Sequence, residues 1–447
     1  MAELPPLEVS EDDRHLVTPD GEPFFYLGDT AWALFHRLDR EAADHYLADR
    51  AEKGFTVIQA VVLSPTSGVE EPNAYGDHAL HDEDPAKPNE AFFEHVDYVV
   101  DRAAAEGLYV AMLPTWGNYW KHAGEHADPI FDPENARAYG EFLGERYRDS
   151  PVLWLLGGDQ TVETETERET VVAMAEGVAA GDGDRHLRTF HPRGPGHSSY
   201  EFHDADWLDF NMIQSSHPAK DHDNGLYVER DYEREPTKPT VDGEPRYEGI
   251  PVGFYWGDSN TYERFDAYDV RQAAYWAVLA GAFGHCYGDN NVMQMWEEEH
   301  EPGIHANVPW REAINHPGAR QMGFVRRLFE SRPWQRLEPD QVILVDAPDS
   351  GGAKVRAATA RDGSFTVAYS PRGEQFTLEK NALSPQWLRE IWYDPRYGTA
   401  YETHTTDNQG VQTYDPPTEG RGEDWVLIVE DRDAEWPLPD EVKPERS

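Results

Sequence analysis

The sequence predicts an α/β architecture, a (β/α)8 TIM barrel followed by a small antiparallel β-sandwich. Three observations predict it. Over about 310 residues, eight short apolar runs alternate with segments of helical periodicity. No early run is followed by the glycine-rich phosphate-binding turn that the competing doubly wound sheet needs. From Trp334 on, helical periodicity gives way to short alternating runs separated by turn residues. The expected division is residues 1–333 for the barrel with an N-terminal hairpin and 334–447 for the β domain.

The elements follow in order. Residues 7–23 predict a hairpin, with Pro-Asp-Gly as its turn. FFYLGDTAW (24–32) is the first core strand. A helix then starts at Asp39 as N-cap and closes at Gly54. FTVIQAVVL (55–63) is the second strand, and a polar loop (64–90) leads to an amphipathic helix. In that helix Phe92, Phe93, Val96, Val99, Val100 and Ala103 keep the 3.6-residue period. LYVAMLPTW (108–116) is the third strand, and Asp132-Pro133 caps the next helix. VLWLLG (152–157) is the fourth, ending at Gly-Gly-Asp, with a helix over about 165–180. LRTFHP (187–192), WLDFNMIQSSH (207–217) and PTVDGE (239–244) are the fifth to seventh. A long helix over about 262–282 precedes FGHCYG (283–288), the eighth, and a last helix covers about 317–331. The C-terminal strands are expected in QVILVDA, KVRAATA, SFTVAYS, REIWYDP and DWVLIVE.

Charge narrows the partners. With 85 Asp+Glu against 39 Lys+Arg, only eight of them Lys, the formal charge is −46. Such a surface repels phosphate backbones and anionic membranes, so neither nucleic acid nor membrane is expected as a partner. The acid is spread along the chain rather than gathered in a tail, a pattern suited to a cytosol where molar salt screens self-repulsion. The single cysteine, Cys286, excludes an intrachain disulfide. MAELPPLEVSEDD carries no basic start or apolar run, so the expectation is a cytoplasmic protein.

Two acids stand where barrel chemistry is done, at the C-terminal ends of strands. Asp159 follows the buried fourth strand, where burial would favour its acid form. The alternative is that it caps the next helix. Glu244 ends the seventh strand, between Gly243 and Pro245; Glu248, four residues on, is its rival. Paired carboxyls of this kind are what glycosidic cleavage requires. Around them, strand ends carry residue types that bind sugars: Asp29, Trp32, Trp116, Tyr119, His191, Gln214, His217 and Tyr287. Histidine–acid clusters at 76–85, 219–224 and 297–305 lack metal-ligand spacing, so no metal and no cofactor is expected. Ser64, Ser67 and Ser215 lack a nucleophile elbow, and Cys286 reads as a small buried core residue.

YLGDTAW (26–32), WLLGGDQ (154–160), KPTVDGEPRYEG (238–249) and AAYWAVLAGAFGHCYGDNNVMQMW (273–296) together resemble the apiosidase-like glycoside hydrolases, family 140. WYDPRYGTAYE (392–402) and PPTEGRGEDWVLIVED (416–431) resemble the β domain named for collagen binding, a name not taken here as a function. The resemblance implies a retaining barrel with the acid/base after the fourth strand and the nucleophile after the seventh, at Asp159 and Glu244. An Asp in the first place departs from the Asn-Glu of the wider clan but matches this family's Gly-Gly-Asp. It also implies an exo-acting enzyme on plant-type pectic, apiose-like oligosaccharides. The competing expectation is a non-catalytic carbohydrate-binding or adhesion protein on a barrel scaffold.

Overall fold

The computed structural model describes residues 4–66, 68–121, 129–256 and 263–442; Ser67 and residue 262 lie outside them. Strands β1 (Glu8–Val9), β2 (Leu16–Val17) and β3 (Pro23–Phe24) form a small antiparallel sheet, in place of a simple hairpin. The barrel follows. Its strands are β4 (Tyr26–Thr30), β5 (Val57–Leu63), β6 (Tyr109–Thr115), β7 (Val152–Gly157) and β8 (Arg188–His191), then β10 (Asn211–Gln214), β11 (Thr240–Asp242) and β12 (Gly284–Tyr287). Hydrogen bonding runs β8-β7-β6-β5-β4-β12-β11-β10, and the short β9 (Gly196–His197) lies antiparallel on β10. Between β8 and β10 the ring is bridged by Asp209 N–H to Arg188 O at 2.9 Å and Thr189 Oγ1 to Phe210 O at 2.6 Å.

The helices stand where periodicity and caps put them. In α2 (Arg40–Glu52) the Asp39 side chain accepts from Ala42 N–H, and α3 (Glu90–Ala105) buries the six apolar positions named above. In α4 (Pro133–Arg146) Asp132 forms a capping box. Helices α5 (Glu165–Asp182), α8 (Ala267–Leu279) and α10 (Pro317–Glu330) complete the outer layer with shorter turns, among them α1 (Leu34–Arg37) and α7 (Gly225–Tyr232).

The alternation along β4 and β5 decides which side chains reach the cleft. Thr30 pairs with Gln59, and Gln59 Nε2 donates to Gly243 O at 2.8 Å across the ring. Cys286 Sγ is buried 2.9 Å from the same nitrogen, so this phase faces the barrel interior. Asp29 and its cross-strand partner Tyr287 are in the opposite phase and face the helices.

The C-terminal part is a two-sheet β structure, richer than the five expected runs. A six-stranded sheet has the order β13 (Leu337–Pro339), β15 (Arg356–Ala360), β16 (Phe365–Ser370), β21 (Trp425–Asp431), β18 (Trp387–Asp394), β19 (Thr399–Asp407), and a three-stranded one the order β14 (Leu344–Asp346), β17 (Phe376–Glu379), β20 (Val411–Tyr414). The added strands include β13, β17, β19 and β20. The sheets bury Ile343, Phe376, Leu388 and Leu427 between them, while Phe365, Tyr369 and Tyr393 join the barrel's own cluster. Buried ion pairs pin the interface, with Arg271 Nη2 2.5 Å from Asp424 and Arg332 Nε 2.7 Å from Glu430. No helix of the described residues is long and apolar enough to cross a membrane.

Candidate active site

Strand β7 ends in three consecutive left-handed residues, Gly157 (φ 95°), Gly158 (φ 97°) and Asp159 (φ 59°). The sequence allows this turn because glycine takes positive φ freely and Asp tolerates it among L-residues. A Cβ on Gly158 would stand 2.8 Å from the Trp116 Cα, so this glycine also lets the β6 and β7 loops touch. Trp120 Nε1 donates to Gly157 O at 2.7 Å and locks the turn from the other side. Asp159 is thereby lifted to the cleft, partly accessible but densely surrounded.

His191, at the end of β8, joins this turn to the other acid. Its Nδ1 accepts the Asp159 N–H at 3.2 Å, which puts the ring proton on Nε2. That nitrogen lies 3.1 Å from Glu244 Oε2, off the direction of a well-formed hydrogen bond. His217 repeats the arrangement: Nδ1 accepts the Tyr247 N–H at 3.3 Å, and Nε2 is 3.3 Å from Glu244 Oε1. Two imidazoles therefore aim N–H groups at one carboxylate. Glu244 itself is 7% exposed and held from below, through the Gln59 contact to Gly243 O.

The two carboxyls are displaced in opposite directions. Burial, then the negative charge of Glu244, pushes Asp159 up to about 7, against the opposing pull of His191, Gln214 and Arg193. Burial would raise Glu244 too, but the two imidazoles at its oxygens outweigh it and bring the carboxyl down to about 2. Below about pH 7 Asp159 holds its proton while Glu244 is an anion. This is the division of labour that acid-and-nucleophile chemistry needs.

Aromatic rings wall the same space. Trp32 lies 5.3 Å from Trp116 and 5.4 Å from His191, and Trp116 is 5.9 Å from His191. Gln214 is near enough to Asp159 to favour its ionised form. Of the sequence-expected residues, Asp159, Glu244, Trp32, Trp116, His191, Gln214 and His217 thus come together.

Three others do not join them. Asp29 is buried against α2, its Oδ2 2.6 Å from Arg50 Nε and 2.5 Å from the Tyr46 hydroxyl. Tyr287 donates from its hydroxyl to Glu248 Oε2 at 2.7 Å, beside a bond from Gly318 N–H at 2.9 Å. Both fall on the helix side because strand alternation turns every second side chain outward. The same contacts place Glu248, the rival of Glu244, against Tyr287 and Gly318. Tyr119 gives its hydroxyl to Glu70 at 3.0 Å and to Ser64 O at 3.3 Å, tying two loops together. Sequence reasoning missed Tyr247, whose ring packs 4.7 Å from His217 and whose hydroxyl reaches Thr30 at 3.2 Å. Its place three residues after Glu244 was the available signal. Among the described residues no group of three or more His, Cys, Asp or Glu is arranged to hold a metal ion.

A (β/α)8-type barrel with carboxyls at its strand ends suits a glycoside hydrolase, and the likeness of the chain to such enzymes shows that it is one, with a carbohydrate as substrate. Within that class the chain belongs to the Apiosidase-like family, whose catalytic domain matches residues 10–336. Residues 339–430 match the family described as "Putative collagen-binding domain of a collagenase". A solved structure named "Glycoside hydrolase" is 32% identical, with TM-score 0.88 over 97% of this chain and 98% of the other. A glycoside hydrolase family 5 structure from Bacteroides vulgatus ATCC 8482 is 30% identical, with TM-score 0.88 over 98% and 95%. A family 5 mannosidase from Rhizomucor miehei shares the fold alone, at 14% identity and TM-score 0.51 over 72% and 97%. No curated protein matches the chain.

Proposed function

We propose that the protein is a retaining, exo-acting glycoside hydrolase for plant-type oligosaccharides, pectic and apiose-like, with Asp159 as acid/base and Glu244 as nucleophile. The observation that carries this reading is the geometry at His191, which accepts the Asp159 N–H at 3.2 Å and stands 3.1 Å from Glu244, with the two carboxyls displaced in opposite directions. Glu244 attacks the anomeric carbon while Asp159 gives its proton to the departing glycosidic oxygen. Water then adds to the glycosyl-enzyme, Asp159 takes a proton from it, and the Glu244–sugar bond breaks. The hydrogen bond from His217 and the Nε2–H that His191 turns toward the same carboxylate keep Glu244 ionised before attack and stabilise it as the leaving group afterwards. Trp32, Trp116 and Gln214 hold the terminal sugar by stacking and hydrogen bonding.

The same reading places the enzyme in a high-salt cytosol, on the strength of its acid excess, and takes 334–447 as a separate β domain braced on the barrel. A panel of nitrophenyl glycosides and pectic oligosaccharides in molar KCl tests it, with product configuration followed by NMR. The expected result is release of a terminal sugar with retained configuration, abolished by Glu244→Ala. Inverted product, or turnover that survives Glu244→Ala, would refute it.

A further inference from the structure

The cleft has a shut end and an open end. Trp32, His191, Gln214 and His217 are all buried, so the ring that meets Glu244 sits among groups withdrawn from bulk water. After β11 the chain comes back past this cleft, where Gly253 N–H donates to His217 O at 2.8 Å. The next three residues, Phe254–Trp256, make one 3-10 turn. Their rings climb outward from the imidazole that holds Glu244. Phe254 is 5.9 Å from His217, Tyr255 is 4.9 Å from Phe254, and Trp256 is 5.0 Å from Tyr255. The Tyr255 hydroxyl lies 3.3 Å from Ser216 Oγ, next to His217 in the chain. Tyr255 also feels the charges of both Glu244 and Asp159, so it borders their space.

Exposure rises along this series, to 38% at Tyr255 and 69% at Trp256. A tryptophan left largely in water contributes little to the core, and on so acidic a surface a bare indole is out of place. In exo-cleavage the terminal sugar takes the shut end, so whatever it is attached to must leave through the open one.

We infer that Tyr255 and Trp256 form the platform for the leaving-group side of the substrate, and that this group is itself a sugar whose C–H face stacks on the indole. The inference rests on the hydrolase reading of Asp159 and Glu244. It makes the enzyme one that requires a second saccharide unit, rather than one indifferent to the aglycone. Stacking on an aromatic face is sequence-tolerant and geometry-dependent, so it selects a flat apolar ring face at that position.

The test compares wild type, Trp256→Ala and Trp256→Phe on substrates carrying the same cleaved sugar. These are its glycosyl fluoride, with a leaving group too small to reach the platform, its methyl glycoside, and a pectic oligosaccharide. The sugar is the one that wild type releases from the panel above. Trp256→Ala should lower kcat/KM for the oligosaccharide about 10-fold, mainly through KM, and leave the fluoride unchanged. Trp256→Phe should restore most of the loss. Unchanged fluoride turnover also shows that the variants are folded. Equal losses on fluoride and oligosaccharide, or no loss on either, would overturn the platform. So would a wild type that cleaves the oligosaccharide no better than the methyl glycoside, with the hydrolase reading left standing. A wild type that releases no sugar from the panel overturns both.

Discussion

Replacing Glu244 by Gln removes a negative charge from the cleft while keeping the shape that His191 and His217 grip. If the two carboxyls share one electrostatic space, Asp159 must respond. It stands at about 7 against an ordinary 3.8. At about 1.36 kcal/mol for each tenfold change in acidity, roughly 4 kcal/mol disfavours its ionised form. Burial is the larger cause and Glu244 the second. At the separation of about 5 Å that a retaining pair requires, a unit charge would contribute roughly 3 kcal/mol at an effective dielectric of about 20, with the two imidazoles screening part of it. Glu244→Gln should therefore bring Asp159 down to about 5–6, with burial keeping it above the normal range. The assay is a carboxyl 13C titration of aspartate-labelled protein in molar KCl, with Asp159→Asn used to assign the resonance. In wild type the same group sets the alkaline limb of kcat/KM, because the acid is lost as pH rises through about 7. An Asp159 resonance that titrates at the same pH with and without the Glu244 charge would refute the shared cleft, and with it the paired mechanism.

Other consequences follow from the same contacts. Burial first, then Asp289, raises Glu248 to about 7 from 4.5, so its stability contribution is full below about 4.5 and is lost as pH climbs through about 7. Glu248→Gln should thus match wild type near pH 4, exceed it by about 3 kcal/mol above pH 7 in chemical denaturation, and keep full activity. A dead but stable variant would return Glu248 to the cleft. Arg50→Met leaves the Asp29 carboxylate buried without its cation and should cost about 3–5 kcal/mol of stability, with little change in kcat/KM while folded. A specific loss of activity at full stability would contradict the structural role given to Asp29. With a formal charge of −46, Tm should climb steeply as KCl rises from about 0.1 M to above 1 M, where the screening length shrinks to about 3 Å. A Tm indifferent to salt would refute the high-salt reading.

The barrel was legible because parallel strands buried on both faces are written as continuous apolar runs, and their helices carry caps and a 3.6-residue period. VLWLLG and the Asp39 and Asp132 caps are cases in which local chemistry states the element outright. Gly-Gly-Asp was legible as the end of that strand, and few other tripeptides would take the three positive φ values in a row found there. In the β domain the signal was weaker. TAYETHTTD forms the nine-residue β19 although most of it is polar, because its pairing along β18 rather than its own hydrophobicity holds it in place.

What the sequence determined alone, then, is the order of strands and helices, the turns between them, and the two carboxyls at strand ends. Each of these depends on residues close together in the chain. Only the tertiary structure decided which side chains share the cleft. Asp29 and Trp32 are three residues apart, yet strand phase sends Asp29 to Arg50 while the turn beyond Thr30 carries Trp32 to His191. Nor does any local pattern say that His191 and His217, 26 residues apart, bring their protons to the same carboxylate. Closing the ring sets those distances, and the distances set the charge state on which the chemistry depends.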